Sequence, residues 1–414
     1  MLNDLSPKDQ RTLHALLLLG PVVDDFSDWL IAHEYRDRTR KRYLHRCVPI
    51  DRYFVNHQHR ALAELTAQQF LECHRFYQHR PGEVASTVSC LKHFLLSRQL
   101  ISVEESSPIP FRPSIDAYRQ HLADVRGLAA VTIERHCLIV SEFLQHASKQ
   151  DCAFRLADLT PGHSECFITA ISPRFGRQQL QKVVSILRGF LRFLGMRGET
   201  TLGLDACIDT PRVYREEQLP RALPWDSVRA FLESIDRTTA AGLRDYAMLS
   251  LIAAYGLRGC DVAGLKLTDI DWRAGEVRII QSKTRQPMVL PLTDPVADAV
   301  LAYLRDGRPR SAYRQIFLKT YAPITPLQGA NVSDAFRFRL KHSGLDICAR
   351  GVYCLRHSYA MHLLRQGISL KTIGDLLGHR RSQSTGVYLR LDVDDLREVA
   401  LPLPSSPRIE EASL

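Results

Sequence analysis

The sequence predicts a mainly α-helical chain with one small β-sheet: two helical domains in tandem, then an α+β domain. Three observations lead there. Apolar residues recur at three- and four-residue spacing along most of the 414 residues, the period of an amphipathic helix. Two stretches of the first half are alike at a nearly constant offset, the mark of a repeated unit. Only residues 276–292 alternate like two strands around a turn. The expected domains are 1–105, 110–212 and 218–400, with a tail over 401–414.

In the first copy Phe26 and Leu30 belong to an opening helix, Thr39 and Arg42 open the next, Leu65-Thr66 follows, and residues 88–95 close the unit. The second copy has Tyr118 and Leu122, Thr132 and Arg135, Leu159-Thr160, and residues 184–191. The offset creeps from 92 through 93 and 94 to 96, as a duplication with short insertions would give. Residues 104–113, rich in Pro and Ser, break the helical period and form the expected linker. A second boundary is expected over 209–224, where Pro211, Pro220 and Pro224 bracket a charged run. Arg40, Lys41 and Arg42 make a basic helix start in the first copy, and Arg174, Arg177 and Lys182 a basic group in the second. Such groups can meet phosphates, and they are also what an ordinary solvated helix face looks like.

From Trp225 a helix is expected, with Asp226 or Ser227 as its cap and Val228, Phe231 and Leu232 as its buried stripe. A more apolar helix over 244–255 should cross the core and stop at Gly256-Leu257-Arg258-Gly259-Cys260-Asp261. An arginine between glycines after a buried helix is placed to enter a cleft, and Asp261 could hold its guanidinium by a charge-assisted hydrogen bond. Strands are expected over 276–281 and 288–292, with Lys283 and Arg285 at the tip between them. Helices follow over 295–304 and 331–343, the latter with Arg337, Arg339 and Lys341 as candidate backbone contacts. Arg356-His357 then opens a helix whose apolar series is Tyr359, Ala360, Leu363 and Leu364. The next, over 369–377, stops at Gly378, a residue suited to a left-handed cap. His379 lies just beyond it, Tyr388 nine positions further, and a short amphipathic helix over 391–400 precedes the tail.

Composition narrows the class. With 45% hydrophobic and 24% charged residues the mixture is that of an ordinary globular protein. A formal charge of +10 favours a polyanionic partner, because each basic contact to phosphate releases condensed counterions. The ten cysteines stand apart without a CxxC pair or a zinc-type quartet, so a reduced, cytoplasmic setting is expected. The one apolar run near the start, residues 15–19, is far too short to span a bilayer.

Five elements in order, Gly256-Leu257-Arg258, hairpin Lys283, Leu355-Arg356-His357-Ser358, Leu377-Gly378-His379 and Tyr388, resemble the signature of the tyrosine recombinases, the phage integrase family. Each is common alone, and together they are specific. The resemblance covers the last half of the chain. It implies that Tyr388 attacks a DNA phosphorus and becomes joined to the 3′ phosphate, while the 5′-hydroxyl leaves with a proton from Lys283. Arg285 is the competing donor. A partner strand's 5′-hydroxyl then reverses the step. The transition state gathers negative charge on the non-bridging oxygens, which Arg258 and Arg356 would meet with permanently charged planar forks. A phenol is a weak nucleophile at its free pKa of about 10, so the same cations would favour its ionised form. His379 would hydrogen-bond the scissile phosphate, and His357 would support the pocket. One position departs from the pattern: Tyr353 stands where most relatives carry histidine. A phenol can position a phosphate oxygen but is a poor general base near neutral pH, which leaves the base unassigned.

The resemblance further implies that the second helical copy is a core-binding domain closing a clamp on double-stranded DNA with the catalytic domain. The first copy stands where some relatives carry an additional DNA-binding domain. No metal or other cofactor is implied, and the working state would be a tetrameric synapse, with or without a partner recombinase, on DNA in a bacterial cytoplasm. The expected errand is integration or transposition of a mobile element. The rivals are resolution of replicon dimers, a type IB topoisomerase, and a non-catalytic DNA-binding accessory protein.

Overall fold

Helical periodicity becomes helix nearly everywhere it occurs in the computed structural model, which describes residues 5–378 and 385 apart from 79, 81–82, 103–110, 150–153, 215–221 and 350. The chain divides into two compact units, Met1–Ser27 with Lys41–Glu217, and Asp28–Arg40 with Gln218–Leu414. Helices of the first half are α1 (Pro7–His14), α2 (Val23–Ala32), α3 (Asp37–Asn56), α4 (Ala67–Gln78) and α5 (Val84–Ser97), then α6 (Arg112–Asp124), α7 (Ala130–Ser148), α8 (Pro161–Ile171) and α9 (Arg177–Met196). Because α6 begins at Arg112, the linker expected over 104–113 ends inside a helix. Pro113 does not prevent this, since proline is tolerated in a first helical turn, where its missing N–H has no partner to lose.

α2–α5 and α6–α9 share one order of elements and one register of burial. Leu44, Cys47, Ile50 and Phe54 are buried along α3, and Cys137, Val140, Phe143 and Ala147, each 93 positions on, are buried along α7. At an offset of 96, Val88, Leu91, Phe94 and Leu95 of α5 match Val184, Leu187, Phe190 and Leu191 of α9. The Phe26 and Phe94 ring centroids lie 5.2 Å apart, and those of Tyr118 and Phe190 also lie 5.2 Å apart. The 3₁₀ turn before the third helix of each set is tied alike: Glu64 accepts from the Arg60 and Ala61 N–H groups, and Asp158 from that of Arg155. The sets differ at residue 51, among other positions. Asp51 is buried and accepts the N–H groups of Leu17, Leu18 and Leu19, where the second set has the apolar Leu144.

The second half is built from α10 (Trp225–Glu233), α11 (Ala240–Tyr255), α12 (Gly259–Gly264), β1 (Ile270–Asp271), β2 (Glu276–Ile280), β3 (Pro287–Pro291), α13 (Asp294–Ala302), α14 (Gly329–Lys341), α15 (Tyr353–Arg365) and α16 (Leu370–Leu377). α11 is buried on nearly all sides, with Met248, Leu251 and Ile252 in a core shared with Val228, Phe231, Val277, Leu290, Val300, Phe336 and Leu355. Full burial of each such side chain is worth about 1.5–3 kcal/mol. The strands form an antiparallel sheet in the order β1-β2-β3, with Val277 opposite Leu290. β1, only two residues long, carries too short a pattern to be expected from sequence.

Several local expectations change. α10 starts at Trp225 with Pro224 at its N-cap, so Asp226 lies in the first turn instead of capping and pairs with Arg229. α11 begins at Ala240, ahead of the apolar run, because the Thr239 hydroxyl accepts the Gly242 N–H at 3.0 Å. Arg339 is not an open backbone contact: its Nε donates to buried Asp245 at 2.8 Å, which also takes Arg244 at 2.7 Å. The helix expected over 391–400 and the tail lie outside the described residues.

Candidate active site

α11 ends on Gly256, whose φ of +61° is the left-handed conformation that glycine adopts without strain. A Cβ there would stand 2.6 Å from the Tyr359 ring and 2.7 Å from the Leu377 side chain. Leu257 is buried, and Arg258 follows at the N-cap of α12 with 7% of its surface exposed. Its Nη1 donates to Gln281 Oε1 at 2.8 Å. Asp261 lies 3.7 Å away as an ion pair. The expected hydrogen bond from Arg258 to Asp261 is therefore replaced by one to Gln281. Asp261 instead accepts the Ser282 N–H at 2.8 Å and the Ser282 hydroxyl at 2.6 Å, pinning the hairpin turn to α12.

The hairpin tip holds four residues between β2 and β3, preceded by Gln281 and followed by Gln286. Gln281 N–H donates to the Gln286 carbonyl at 3.0 Å, and Arg285 N–H to the Gln281 carbonyl at 2.8 Å. Lys283 and Arg285 are exposed, whereas Thr284 is buried and donates its hydroxyl to Gln281 Oε1 at 2.7 Å. Gln281, 1% exposed, sits beneath the tip and sends its Nε2 to the Leu377 carbonyl at 3.3 Å.

Arg356 lies in the first turn of α15, 3% exposed. Nη1 donates to the Gly256 carbonyl at 2.6 Å and Nη2 to the Leu377 carbonyl at 2.7 Å. Both acceptors are carbonyls at helix C-termini, which have no intrahelical partner. Those two bonds orient the guanidinium through neutral groups. The two arginines are thus joined through Gln281 and Leu377. Sequence reasoning places Gln281 only at a strand end, since an uncharged residue in an alternating pattern carries no signal of its partners.

Tyr353 opens α15 and is 49% exposed, its ring 5.8 Å from that of His357. Burial, and then the Arg356 charge, hold His357 below its ordinary value of 6.5, so it is neutral near pH 7. Two expected site residues, His379 and Tyr388, lie outside the described residues. Thr385, three positions before Tyr388, is buried at Gly374, where an added Cβ would stand 2.9 Å from its hydroxyl.

The expected DNA contacts fare differently. Arg40 is buried and bonds Asp37 at 2.6 Å, a folded-in pair and not an open phosphate contact. Arg42 is half exposed and lies 3.4 Å from Glu83. Arg174 is exposed and paired with Glu142. Lys41 is partly exposed, and Arg177 and Lys182 are exposed. Among the described residues no helix is long and apolar enough to cross a membrane.

Comparison with known proteins gives the family. The sequence model of the phage integrase family matches residues 221–394. The "Putative integrase/recombinase y4rA" of Sinorhizobium fredii is 36% identical over 323 residues, 76% of this chain and 78% of that protein. Tyrosine recombinase XerC of Roseiflexus castenholzii is 30% identical over 67% of this chain and 88% of its own. A solved structure of a lambda integrase dimer bound to a core site, 19% identical, superposes with a TM-score of 0.53, covering 72% of this chain and 99% of that one. Likeness at this level of identity speaks for the fold, and the curated relatives carry the rest. By sequence and by fold, the chain belongs to the phage integrase family, the tyrosine recombinases.

Proposed function

We propose that this protein is a site-specific recombinase that breaks and rejoins double-stranded DNA through a 3′-phosphotyrosyl link on Tyr388, in the service of a mobile element. One observation carries the reading: two buried guanidiniums from distant elements are brought together through one carboxamide and one carbonyl, beneath a hairpin tip that presents Lys283. Fixed cations so arranged suit a phosphoryl group that gains charge on its non-bridging oxygens. Arg258 and Arg356 hold that charge, and Lys283 protonates the 5′-oxygen as the P–O bond breaks. Tyr388 supplies the nucleophile, with His379 on the phosphate. Exposed Tyr353, at the helix start beside His357, orients a phosphate oxygen.

The two N-terminal helical sets, 1–105 and 110–212, form a tandem pair that grips DNA, a reading supported by their shared burial register and by the basic residues Lys41, Arg42, Arg177 and Lys182. Assembly of protomers on DNA follows the dimer seen for lambda integrase on its core site, extended to a tetrameric synapse in the bacterial cytoplasm, on the nucleoid. An extra N-terminal domain gives a mobile-element enzyme additional contacts to its own DNA ends. Resolution of replicon dimers uses the same chemistry, and the two roles part on whether the cleaved sites flank the element.

The test is covalent trapping on a duplex from the gene's own flanks, nicked beside the candidate cleavage position, with wild type and Tyr388→Phe compared on a denaturing gel. A protein–DNA band in wild type alone is the expected result. Persistence of the band in Tyr388→Phe would assign another nucleophile. Absence from wild type on DNA that it binds would replace the recombinase with an accessory DNA-binding protein.

A further inference from the structure

We propose that Gln281 is a positioning residue for phosphoryl transfer, the link through which Arg258 and Arg356 are held as one charge pair. The inference rests on the recombinase reading above. Its basis is a run of three hydrogen bonds: Arg258 Nη1 to Gln281 Oε1 at 2.8 Å, Gln281 Nε2 to the Leu377 carbonyl at 3.3 Å, and Arg356 Nη2 to the same carbonyl at 2.7 Å.

The chemistry of a carboxamide suits this place. It presents an acceptor to one guanidinium and a donor to the carbonyl that accepts the other, without adding charge. A carboxylate would take up much of the Arg258 charge that the phosphate needs. An aliphatic side chain would leave a buried guanidinium N–H without its acceptor. The amide is locked on its other sides. Thr284 donates to the same Oε1 at 2.7 Å, and the absent Cβ of Gly378 makes room, since one added there would lie 2.2 Å from Nε2 and 2.3 Å from Oε1. Gln281 is also bonded at its backbone to both Arg285 and Gln286, so the residue that aligns the arginines also roots the tip that carries Lys283.

The test separates alignment of charge from proton donation. Full-length wild type and Gln281→Met, which keeps the side-chain length, would be compared on three nicked duplexes: one natural, one with a neutral methylphosphonate at the scissile position, and one with a bridging 5′-sulfur. A neutral phosphonate gathers less charge and so depends less on placed guanidiniums. A 5′-thiolate leaves without a proton donor, since thiols ionise near pH 8.5. The expected result is a fall of about 30-fold in single-turnover cleavage of the natural duplex at saturating protein, with duplex Kd changed less than about threefold. The defect should shrink to about threefold on the methylphosphonate and persist on the 5′-sulfur substrate.

Rescue by the 5′-sulfur instead would assign Gln281 to the Lys283 tip and overturn the proposal, as would an equal loss on all three substrates. Gln281→Glu, of matching size, serves if the Met variant unfolds: its added negative charge should slow the natural substrate and spare the methylphosphonate. If wild type cleaves and Gln281→Met matches it, this inference alone falls. If wild type cleaves none of the three, the recombinase reading falls and takes the inference with it.

Discussion

Arg356 and Gly256 stand a hundred residues apart in sequence and are joined by a 2.6 Å hydrogen bond from guanidinium to carbonyl. The bond depends on Gly256 ending α11 in a left-handed turn, because that turn leaves its carbonyl beside α15. Gly256→Ala puts a side chain at φ +61° and within 2.7 Å of both Tyr359 and Leu377. A cost of about 2–4 kcal/mol is expected, read as a lower midpoint in thermal unfolding, together with slower cleavage. A variant as stable as wild type would show that the turn relaxes without consequence.

Arg356→Lys should abolish most cleavage while retaining a positive charge. An ammonium is a single point of charge and does not span the Gly256 and Leu377 carbonyls as the planar fork does. A loss of about 100-fold or more in covalent adduct formation is expected, with duplex affinity nearly unchanged. Retention of activity would reduce the role of Arg356 to bulk charge.

Stability can be separated from the site at Asp245. Its buried carboxylate holds Arg244 of α11 and Arg339 of α14, and the bonds linking Arg258 to Arg356 run elsewhere. Asp245→Asn leaves two guanidiniums without their counter-ion, a change that costs about 3 kcal/mol in buried networks. The expected variant unfolds at lower denaturant, yet cleaves at wild-type rate at low temperature, where it is folded.

Acid should weaken the catalytic unit through its histidines. Burial first, then neighbouring arginines, hold His357 and His362 below their ordinary value of 6.5. The unfolded chain therefore takes up protons as pH falls through 6.5 while the folded chain resists. The stability that depends on these neutral rings is full above that pH, declines below it, and levels off only beneath the folded values. Unfolding midpoints measured from pH 7.5 to 5 should fall, and His357→Gln should flatten part of the slope. His362 reports the same effect from its stack on Trp225, with centroids 4.1 Å apart.

How much of this was legible in the sequence depends on whether a signal was local. The caps and stripes were: Gly378 closes α16 in the left-handed region as its position after Leu377 foretold, and the apolar length of α11 marked a core helix. Arg258, Lys283 and Arg356 stood out through their neighbours in the chain. Gln281 did not, because its meaning lies in Arg258 and Leu377, partners 23 and 96 positions away. Arg40 misled for the converse reason: a run of basic residues looks uniformly exposed, while the helix turns one of them toward Asp37 and into the fold.

The hairpin tip offers two cations, and backbone geometry discriminates between them. Arg285 has φ +57°, a left-handed conformation that costs an L-residue about 1 kcal/mol, and its N–H is spent on the Gln281 carbonyl. Its place is that of a turn residue for which glycine is the unstrained choice. Arg285→Gly should therefore keep the hairpin, hold or raise stability by up to about 1 kcal/mol, and lower cleavage only as far as a lost phosphate contact would. Lys283→Ala should abolish cleavage of the natural phosphate and regain it on a substrate with a bridging 5′-sulfur, whose leaving group needs no proton. If Arg285→Gly shows that selective rescue and Lys283→Ala does not, the proton comes from Arg285, and the strained turn serves to aim it.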